Sequence, residues 1–303
     1  MKKEIFTRYN SGIIALKPQE IERAAYINDP LVHTFKDHLE KNQDFLKKCQ
    51  EILLPRRKQN IQERDKINYI LSRARTVLSL RYVPIQSFAG ATSKSDVINN
   101  YYLIKVSKQN PIDVLTFFVK IITKLYSIKN NLTTHNAPFA DNTLLFEALF
   151  WGLSVIHDCS LEVFDKINAE KIAFDIEHCP DNSVFWKNIN IEKKEFDEIF
   201  FATGSHYYKS ILNRYTFISN YLSSEYKIDF ASNLKNKAEF DSIMSQNPDI
   251  EQYKDFKLSK TDPVSATVFD ILNDVKSSKF IIRPDYQRSE VPNNKQKASY
   301  LLE

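Results

Sequence analysis

Apolar side chains recur at helical spacing along most of the first 230 residues. Residues three, four and seven positions apart lie on one face of an α-helix, which favours helices at roughly 29–54, 61–82, 95–106, 111–130, 141–158, 160–176, 192–202 and 204–225. The clearest examples are DVLTFFVKIITKLYS (113–127) and NTLLFEALFWGLSVI (142–156). The second is apolar on nearly every side. It therefore predicts a central, buried helix.

The chain becomes polar after this series. Residues 226–262 are rich in Asn, Lys and Asp and poor in large apolar side chains, which predicts a linker with at most one short helix. SATVFDILNDVKSSKF (265–280) then predicts a capped helix that leads into a short strand and a turn. Met244, which opens MSQNPDIEQYKDF, resembles the start of a protein. One hypothesis is therefore that two neighbouring copies are joined here as one sequence.

Composition narrows the setting. With 303 residues, of which 43% are apolar, the chain has ample material for a core. Three cysteines without a C-x-x-C pair argue against a disulfide framework. The start, MKKEIFTRYNSG, lacks the apolar region of a signal peptide, and charges interrupt the longest apolar stretches. We therefore expect a cytoplasmic protein with no membrane segment.

A basic run, LPRRKQNIQERDKINYILSRARTVLSLRY (54–82), stands out in a chain with a formal charge of +4. Its cations do not fall on one helical stripe, and acidic residues interrupt them. A solvated face is the default interpretation. The alternative is a patch that follows nucleic-acid phosphates. The DNA-binding candidates are Arg56, Arg57, Lys58, Arg73 and Arg75.

Other short motifs carry less chemistry. FDIEHCPDNSVFW (174–186) is similar to the Ile-Glu-His of an HNH nuclease, but His206 and Asn213 downstream lack convincing spacing. We therefore expect His178 and Cys179 to be structural or surface residues, and no metal site. FAGATSKSD (88–96) has one glycine and lacks the frame of a phosphate-binding loop, so it predicts an ordinary loop.

Two segments at opposite ends carry the most specific pattern. They are EIFTRYNSGIIALKPQEIERAAY (4–26) and FIIRPDYQRSEVPNNKQKASYLLE (280–303). Both resemble the GmrSD-type restriction endonuclease N-terminal domain family, which has a ParB/sulfiredoxin-like fold. A domain of that family opens with Pro-x-Tyr-Gln-Arg and passes through Asp-Gly-Gln-Gln-Arg. It closes with Phe-x-Arg-x-Asn and Leu-x-x-Gln-Glu-x-Arg, and a helical region follows.

The family's two ends occur here in reversed order. The closing motif comes first, at Phe6, Arg8, Asn10, Leu16, Gln19, Glu20 and Arg23. The opening motif comes last, at Pro284, Tyr286, Gln287 and Arg288, and no Asp-Gly-Gln-Gln-Arg occurs. The resemblance implies a mainly α fold with incomplete ParB-like α+β pieces at both ends. The implied parts are a closing segment (1–26), a helical domain (27–230), a polar linker (231–262) and an opening segment (263–303).

The resemblance also implies a function, namely nucleotide-dependent DNA cleavage in restriction and phage defence. In such a site Arg288 would fork onto a phosphate, with Tyr286 and Gln287 as further nucleotide contacts. Asp285 would help to hold a metal or a water. The implied cofactors are an NTP and Mg²⁺, and the implied macromolecular partner is DNA. A second polypeptide or self-association would complete the ParB-like domain.

Two alternatives remain open from the sequence. Gln19, Glu20 and Arg23 either brace the Tyr-Gln-Arg turn, as the family suggests, or simply face solvent on a helix. The whole chain is either a partial member of the family that retains its chemistry or a non-catalytic helical interaction protein that retains only its sequence. The missing second motif favours the interaction protein, whereas the retained Pro-Asp-Tyr-Gln-Arg turn favours the first reading.

Overall fold

The computed structural model describes Tyr26 and residues 29–86, 94–134, 140–178, 200, 208–231 and 237–245. All of these except Tyr26 belong to one compact unit, Asn28–Glu251. Every regular element in this described part of the chain is helical, which confirms the mainly α prediction for it. Apart from Tyr26, the proposed ParB-like pieces at 1–26 and 263–303 lie outside the described residues. None of the described helices is both long and apolar enough to cross a membrane.

The structure describes ten α-helices in the ranges given above. A single 3₁₀ turn, Arg56–Lys58, precedes the third helix, and a π-helical turn, Tyr102–Val106, extends the fourth. The helices are α1 (Pro30–Lys41), α2 (Gln43–Leu53), α3 (Glu63–Leu80), α4 (Lys94–Tyr101), α5 (Pro111–Thr134), α6 (Thr143–Cys159), α7 (Leu161–Asp165), α8 (Ala169–His178), α9 (Tyr208–Tyr226) and α10 (Lys237–Ser245).

Polar caps divide two of the predicted helices. Residues 29–54 form α1 and α2 because Asn42 leaves helical geometry and its Oδ1 accepts from the Phe45 amide at 3.0 Å. Residues 160–176 form α7 and α8, since Asn168 Oδ1 accepts from the Lys171 amide at 3.0 Å. The continuous helices predicted over these ranges were therefore wrong. The helix predicted at 192–202 falls, except for residue 200, outside the described residues.

The core is built around α5 and α6. Helix α5 packs against α1, α2, α6 and α8, and α6 packs against α2, α3, α5, α7 and α9. Every residue of α6 from Leu145 to Ile156 is buried, which confirms the prediction of a central helix. Gly152 permits the close approach of α9, because a Cβ there would lie 2.5 Å from Leu222 Cδ1. Burying each large apolar side chain stabilises the fold by roughly 1.5–3 kcal/mol.

One short helix, α10, does occur in the described part of the segment predicted to be a linker. It packs on α4, where the Phe240 and Tyr101 rings are 6.2 Å apart and Lys105 pairs with Glu239 at 2.8 Å. Met244 lies in the last turn of α10, and its Sδ is 3.5 Å from Asn100 Nδ2. A chain that began at Met244 would lose most of α10. The hypothesis of a protein start at this residue stays a prediction.

Candidate functional site

A carboxylate sits inside the most apolar helix of the described residues. The start of α6 is fixed by Asn142, whose Oδ1 accepts from the Leu144 and Leu145 amides at 3.0 and 3.1 Å. One turn later Glu147 carries the only charge among the buried residues of α6, and its side chain is 1% exposed. An ionised carboxylate at this depth requires cations and hydrogen-bond donors around it.

Those partners come from three other helices. Arg73 Nη2 of α3 donates to Glu147 Oε2 at 2.7 Å. Lys94 Nζ, at the start of α4, donates to Oε1 at 3.3 Å, and Tyr215 Oη of α9 donates to the same oxygen at 3.3 Å. Arg214, also of α9 and also buried, adds a further positive charge near the carboxylate. We call these five residues the Glu147 centre.

The charges of the Glu147 centre decide the protonation states of Glu147 and Tyr215. Burial by itself raises the pKa of Glu147, but the positive charges of Lys94, Arg73 and Arg214 outweigh burial and lower that pKa to about 2. Burial, together with the charge of Glu147, raises the pKa of Tyr215 well above its usual value. Glu147 is therefore a permanent anion and Tyr215 a permanent hydrogen-bond donor at physiological pH. The centre acts as an ionic anchor and not as a general acid or base.

One edge of the centre reaches solvent. The side chains of Arg73 and Lys94 are 21% and 31% exposed, although both point a donor at a buried carboxylate. Tyr69 lies one helical turn before Arg73 on the same face of α3 and is half-buried. The ammonium of Lys58 lies 5.2 Å from the centre of the Tyr69 ring. We call Lys58, Tyr69, Arg73 and Lys94 the cationic row.

A second polar cluster lies at the other end of α6. Arg81, which follows α3, donates to Asp158 through Nε at 2.7 Å, and its guanidinium lies 4.0 Å from the centre of the Phe117 ring. The His157 ring packs edge-on against Phe117 and Phe164, at 4.9 and 5.1 Å. Burial lowers the pKa of His157. These contacts join the ends of three helices to α7, and we interpret the cluster as structural.

The basic run predicted from the sequence does not form one exposed face. Arg56 is exposed and pairs with Asp141, and Lys58 covers Tyr69. Arg73 points inward to Glu147, and Arg75 is only 7% exposed, because α3 packs against α2, α4 and α6. The solvated-face interpretation is therefore wrong for Arg73 and Arg75. The Arg57 side chain is not among those described, and DNA binding by the run stays a prediction.

The predicted nucleotide-site and motif residues lie outside the described residues. They are Asp285, Tyr286, Gln287 and Arg288 at one end and Phe6, Arg8, Asn10, Gln19, Glu20 and Arg23 at the other. Their roles stay predictions.

The residues of the HNH-like motif are only partly described. His178 ends α8, where its ring stacks on Phe174 with 4.0 Å between the ring centres, and Asn213 is exposed on α9. Cys179 and His206 lie outside the described residues. Within the described part of the chain, no three His, Cys, Asp or Glu side chains are grouped so that they could hold a metal ion.

Five residues of the Glu147 centre and the cationic row were not identified from the sequence, namely Tyr69, Lys94, Glu147, Arg214 and Tyr215. Glu147 was visible as the lone charge of an otherwise apolar helical stretch, and that signal calls for cations from elsewhere in the fold. Lys94 belongs to FAGATSKSD, for which the sequence predicts an ordinary loop because it lacks a phosphate-loop frame. Lys94 in fact begins α4 and reaches Glu147, 53 residues away in sequence.

Comparison of the chain with known protein families, with curated proteins and with solved structures gave no match.

Proposed function

We propose that this chain is a rearranged, partial member of a nucleotide-dependent DNA restriction family that acts in phage defence. The observation that carries the proposal is the pair of motif segments in reversed order, with Pro-Asp-Tyr-Gln-Arg at 284–288 and the matching closing segment near the start. The chain contributes a helical part that faces DNA or a protein partner, together with one arm of a nucleotide site. Its setting is the cytoplasm.

The nucleotide arm has a defined chemistry. Arg288 donates two parallel hydrogen bonds to a phosphate, and Gln287 both donates and accepts. Tyr286 contacts the nucleotide, and Asp285 holds Mg²⁺ or a water that the metal orders. The missing Asp-Gly-Gln-Gln-Arg motif comes from a second polypeptide, because a further copy of this chain would lack it as well. Self-association of this chain would complete only the ParB-like domain. Strands at the two ParB-like pieces would otherwise leave an unpaired edge, which favours association.

The helical part suits a binding role because its cations are held in fixed positions. Arg73 and Lys94 are both tethered to the buried Glu147, so they lose little conformational freedom when they meet a ligand. Part of each side chain remains at the solvent edge, but the carboxylate holds it in position, unlike a freely rotating surface lysine. This supports a helical body that presents positive charge to an anionic partner.

Nucleotide hydrolysis tests the catalytic half of the proposal. The purified chain is assayed with ATP, GTP, CTP and UTP in the presence of Mg²⁺ and duplex DNA. We expect turnover that Arg288→Ala abolishes. The control is Arg283→Ala, which removes the same charge outside the Pro-x-Tyr-Gln-Arg motif and should retain turnover. Equal loss in both variants would contradict a specific role for Arg288.

A non-catalytic interaction protein is the second candidate, and the absence of Asp-Gly-Gln-Gln-Arg favours it. This candidate would be supported over the first if the chain hydrolysed none of the nucleotides, even at protein concentrations that allow self-association. A search for the partner by co-purification would then replace the activity assay.

A further inference from the structure

We propose that the cationic row is a binding site for a nucleotide unit, with the phosphate on Arg73 and Lys94 and the base on Tyr69. The inference deepens the proposed function, because that function supplies the class of ligand. Its residues belong to the described part of the chain and are distant in sequence from the motif at 284–288. The ligand is a phosphate that carries a base, either as a free mononucleotide or within a single strand of DNA or RNA.

The first argument is the charge at the solvent edge. Arg73 and Lys94 share a single carboxylate, so these three side chains together carry one positive charge. Arg214 adds a second positive charge near the carboxylate, so the centre has a net positive charge that a phosphodiester, with one negative charge, would partly balance. Among the hydrogen bonds of the described residues, Arg73 donates only through Nη2, which leaves the rest of its planar fork for a phosphate. Lys94 is held at a longer distance, 3.3 Å, and is the more exposed of the two.

The second argument is the aromatic ring beside the cations. Tyr69 and Arg73 are four residues apart on α3 and therefore lie on one face of the helix. A half-buried tyrosine near cations combines a π-face with backbone-neutralising charges, which is how proteins hold unpaired bases. The Lys58 ammonium lies 5.2 Å from the centre of the Tyr69 ring and would meet a neighbouring phosphate of a strand.

The third argument is that Glu147 anchors both phosphate ligands from beneath. A buried ion pair rarely stabilises a fold more than apolar residues of the same volume would. Burying the Glu147 carboxylate costs desolvation free energy, but the buried charge fixes two cations at the surface in one geometry. Because the ligand would find these donors already ordered, it would lose less free energy in ordering them than it would with mobile surface chains.

Fluorescence anisotropy with a labelled single-stranded oligo-dT of about 15 nucleotides tests the site, using the full chain. The variant Lys94→Gln should weaken binding and lower the slope of log affinity against log salt by about one. Tyr69→Leu should weaken binding by about 5- to 150-fold, the range found for the loss of one stacked base. Tyr69→Phe retains the ring and should bind as the wild type does.

The matched control is Lys166→Gln. Lys166 is 71% exposed and lies just after α7, beyond the far end of α6 from Glu147. Lys166→Gln removes the same charge as Lys94→Gln without changing the cationic row. Thermal unfolding of each variant checks that the fold is intact. Competition by dTMP at micromolar to millimolar concentrations would identify a free nucleotide as the ligand, whereas binding of the oligonucleotide alone would identify a strand.

Three results would overturn the proposal. They are the absence of saturable binding of either probe, equal weakening by Lys94→Gln and Lys166→Gln, and wild-type affinity in Tyr69→Leu. The outcome is separable from that of the catalytic assay, because oligo-dT binding is measured without a nucleoside triphosphate and therefore does not depend on turnover. A chain that binds through Lys94 but shows no turnover would support this site and contradict the catalytic half of the proposed function.

Discussion

Replacing Glu147 by Gln tests the Glu147 centre most directly. The substitution keeps the shape of the side chain and an oxygen that can accept a hydrogen bond, but it removes the charge that holds Arg73 and Lys94. The pKa of Glu147 lies at about 2, against an ordinary value of 4.5. A displacement of that size corresponds to about 3 kcal/mol of stabilisation of the charged form at neutral pH. Removal of one partner from a buried ion pair typically costs about 3–5 kcal/mol, which agrees with the stabilisation derived from the pKa of Glu147.

The measurement is urea unfolding followed by circular dichroism at pH 7. We expect Glu147→Gln to lower the free energy of unfolding by about 3 kcal/mol. The control is Glu170→Gln, which makes the same chemical change at an exposed position in the first turn of α8. Its effect should stay within about 0.5 kcal/mol, as for most surface substitutions. A loss below about 1 kcal/mol in Glu147→Gln would refute the role of the carboxylate as an ionic anchor.

The pH dependence of the same variant gives a second, independent measurement. Because the folded-state pKa of Glu147 is lowered, the unfolded chain binds its proton first as the pH falls. The contribution of Glu147 is therefore complete above about pH 5 and is lost as the pH falls towards 2. Glu147→Gln should lack this part of the acid destabilisation. An unchanged slope between pH 5 and 3 would contradict the assignment.

Three further predictions concern other parts of the helical unit. Burial lowers the pKa of His157, so the unfolded chain takes up its proton first, and stability should fall as the pH drops below about 6.5. Melting temperatures measured between pH 8 and 5 should show this loss in the wild type but not in His157→Phe. Gly152→Ala should cost about 1–3 kcal/mol in urea unfolding, because the new methyl group would overlap Leu222, whereas a Leu222→Ala background should recover part of the loss. Cys159 is exposed and Cys49 is buried with a raised pKa, so a thiol reagent followed by peptide mass spectrometry should modify Cys159 in the native state and Cys49 only after unfolding; equal rates would contradict the packing of α2.

Much of the helical order could be predicted from the sequence, because an amphipathic or wholly apolar period is a local property. The period in α5 and α6 is strong enough to mark both helices and to single out α6 as central. The breaks were harder to predict. The apolar period continues across Asn42 and across Asn168, and only the cap hydrogen bonds to Phe45 and Lys171 show that each helix ends and restarts there.

The Glu147 centre could not be assembled from the sequence for a different reason. Its partners are 74, 53 and 68 residues away along the chain, at Arg73, Lys94 and Tyr215. A lone carboxylate in an apolar helix indicates that some cation must meet it, since an unpaired buried charge is costly. Periodicity does not indicate which cation. The basic run offered many candidates, and packing selected Arg73 because it turned that face of α3 towards α6.

The arrangement of charges itself argues for a role beyond stability. If the centre served only to hold four helices together, apolar side chains of equal volume would do so at least as well and without the desolvation of a carboxylate. A purely structural ion pair also gains nothing from keeping its cations at the solvent edge, where water weakens the pairing. Arg73 and Lys94 do remain at that edge, with Tyr69 one helical turn from Arg73, while the carboxylate is buried. This geometry supports the proposal that the outer faces of the two cations bind a ligand. The oligonucleotide experiment and the Glu147→Gln experiment test that proposal together. If the carboxylate orders the cations for binding, then Glu147→Gln must weaken oligonucleotide binding even in buffers where the variant stays fully folded, although it makes the site more positive.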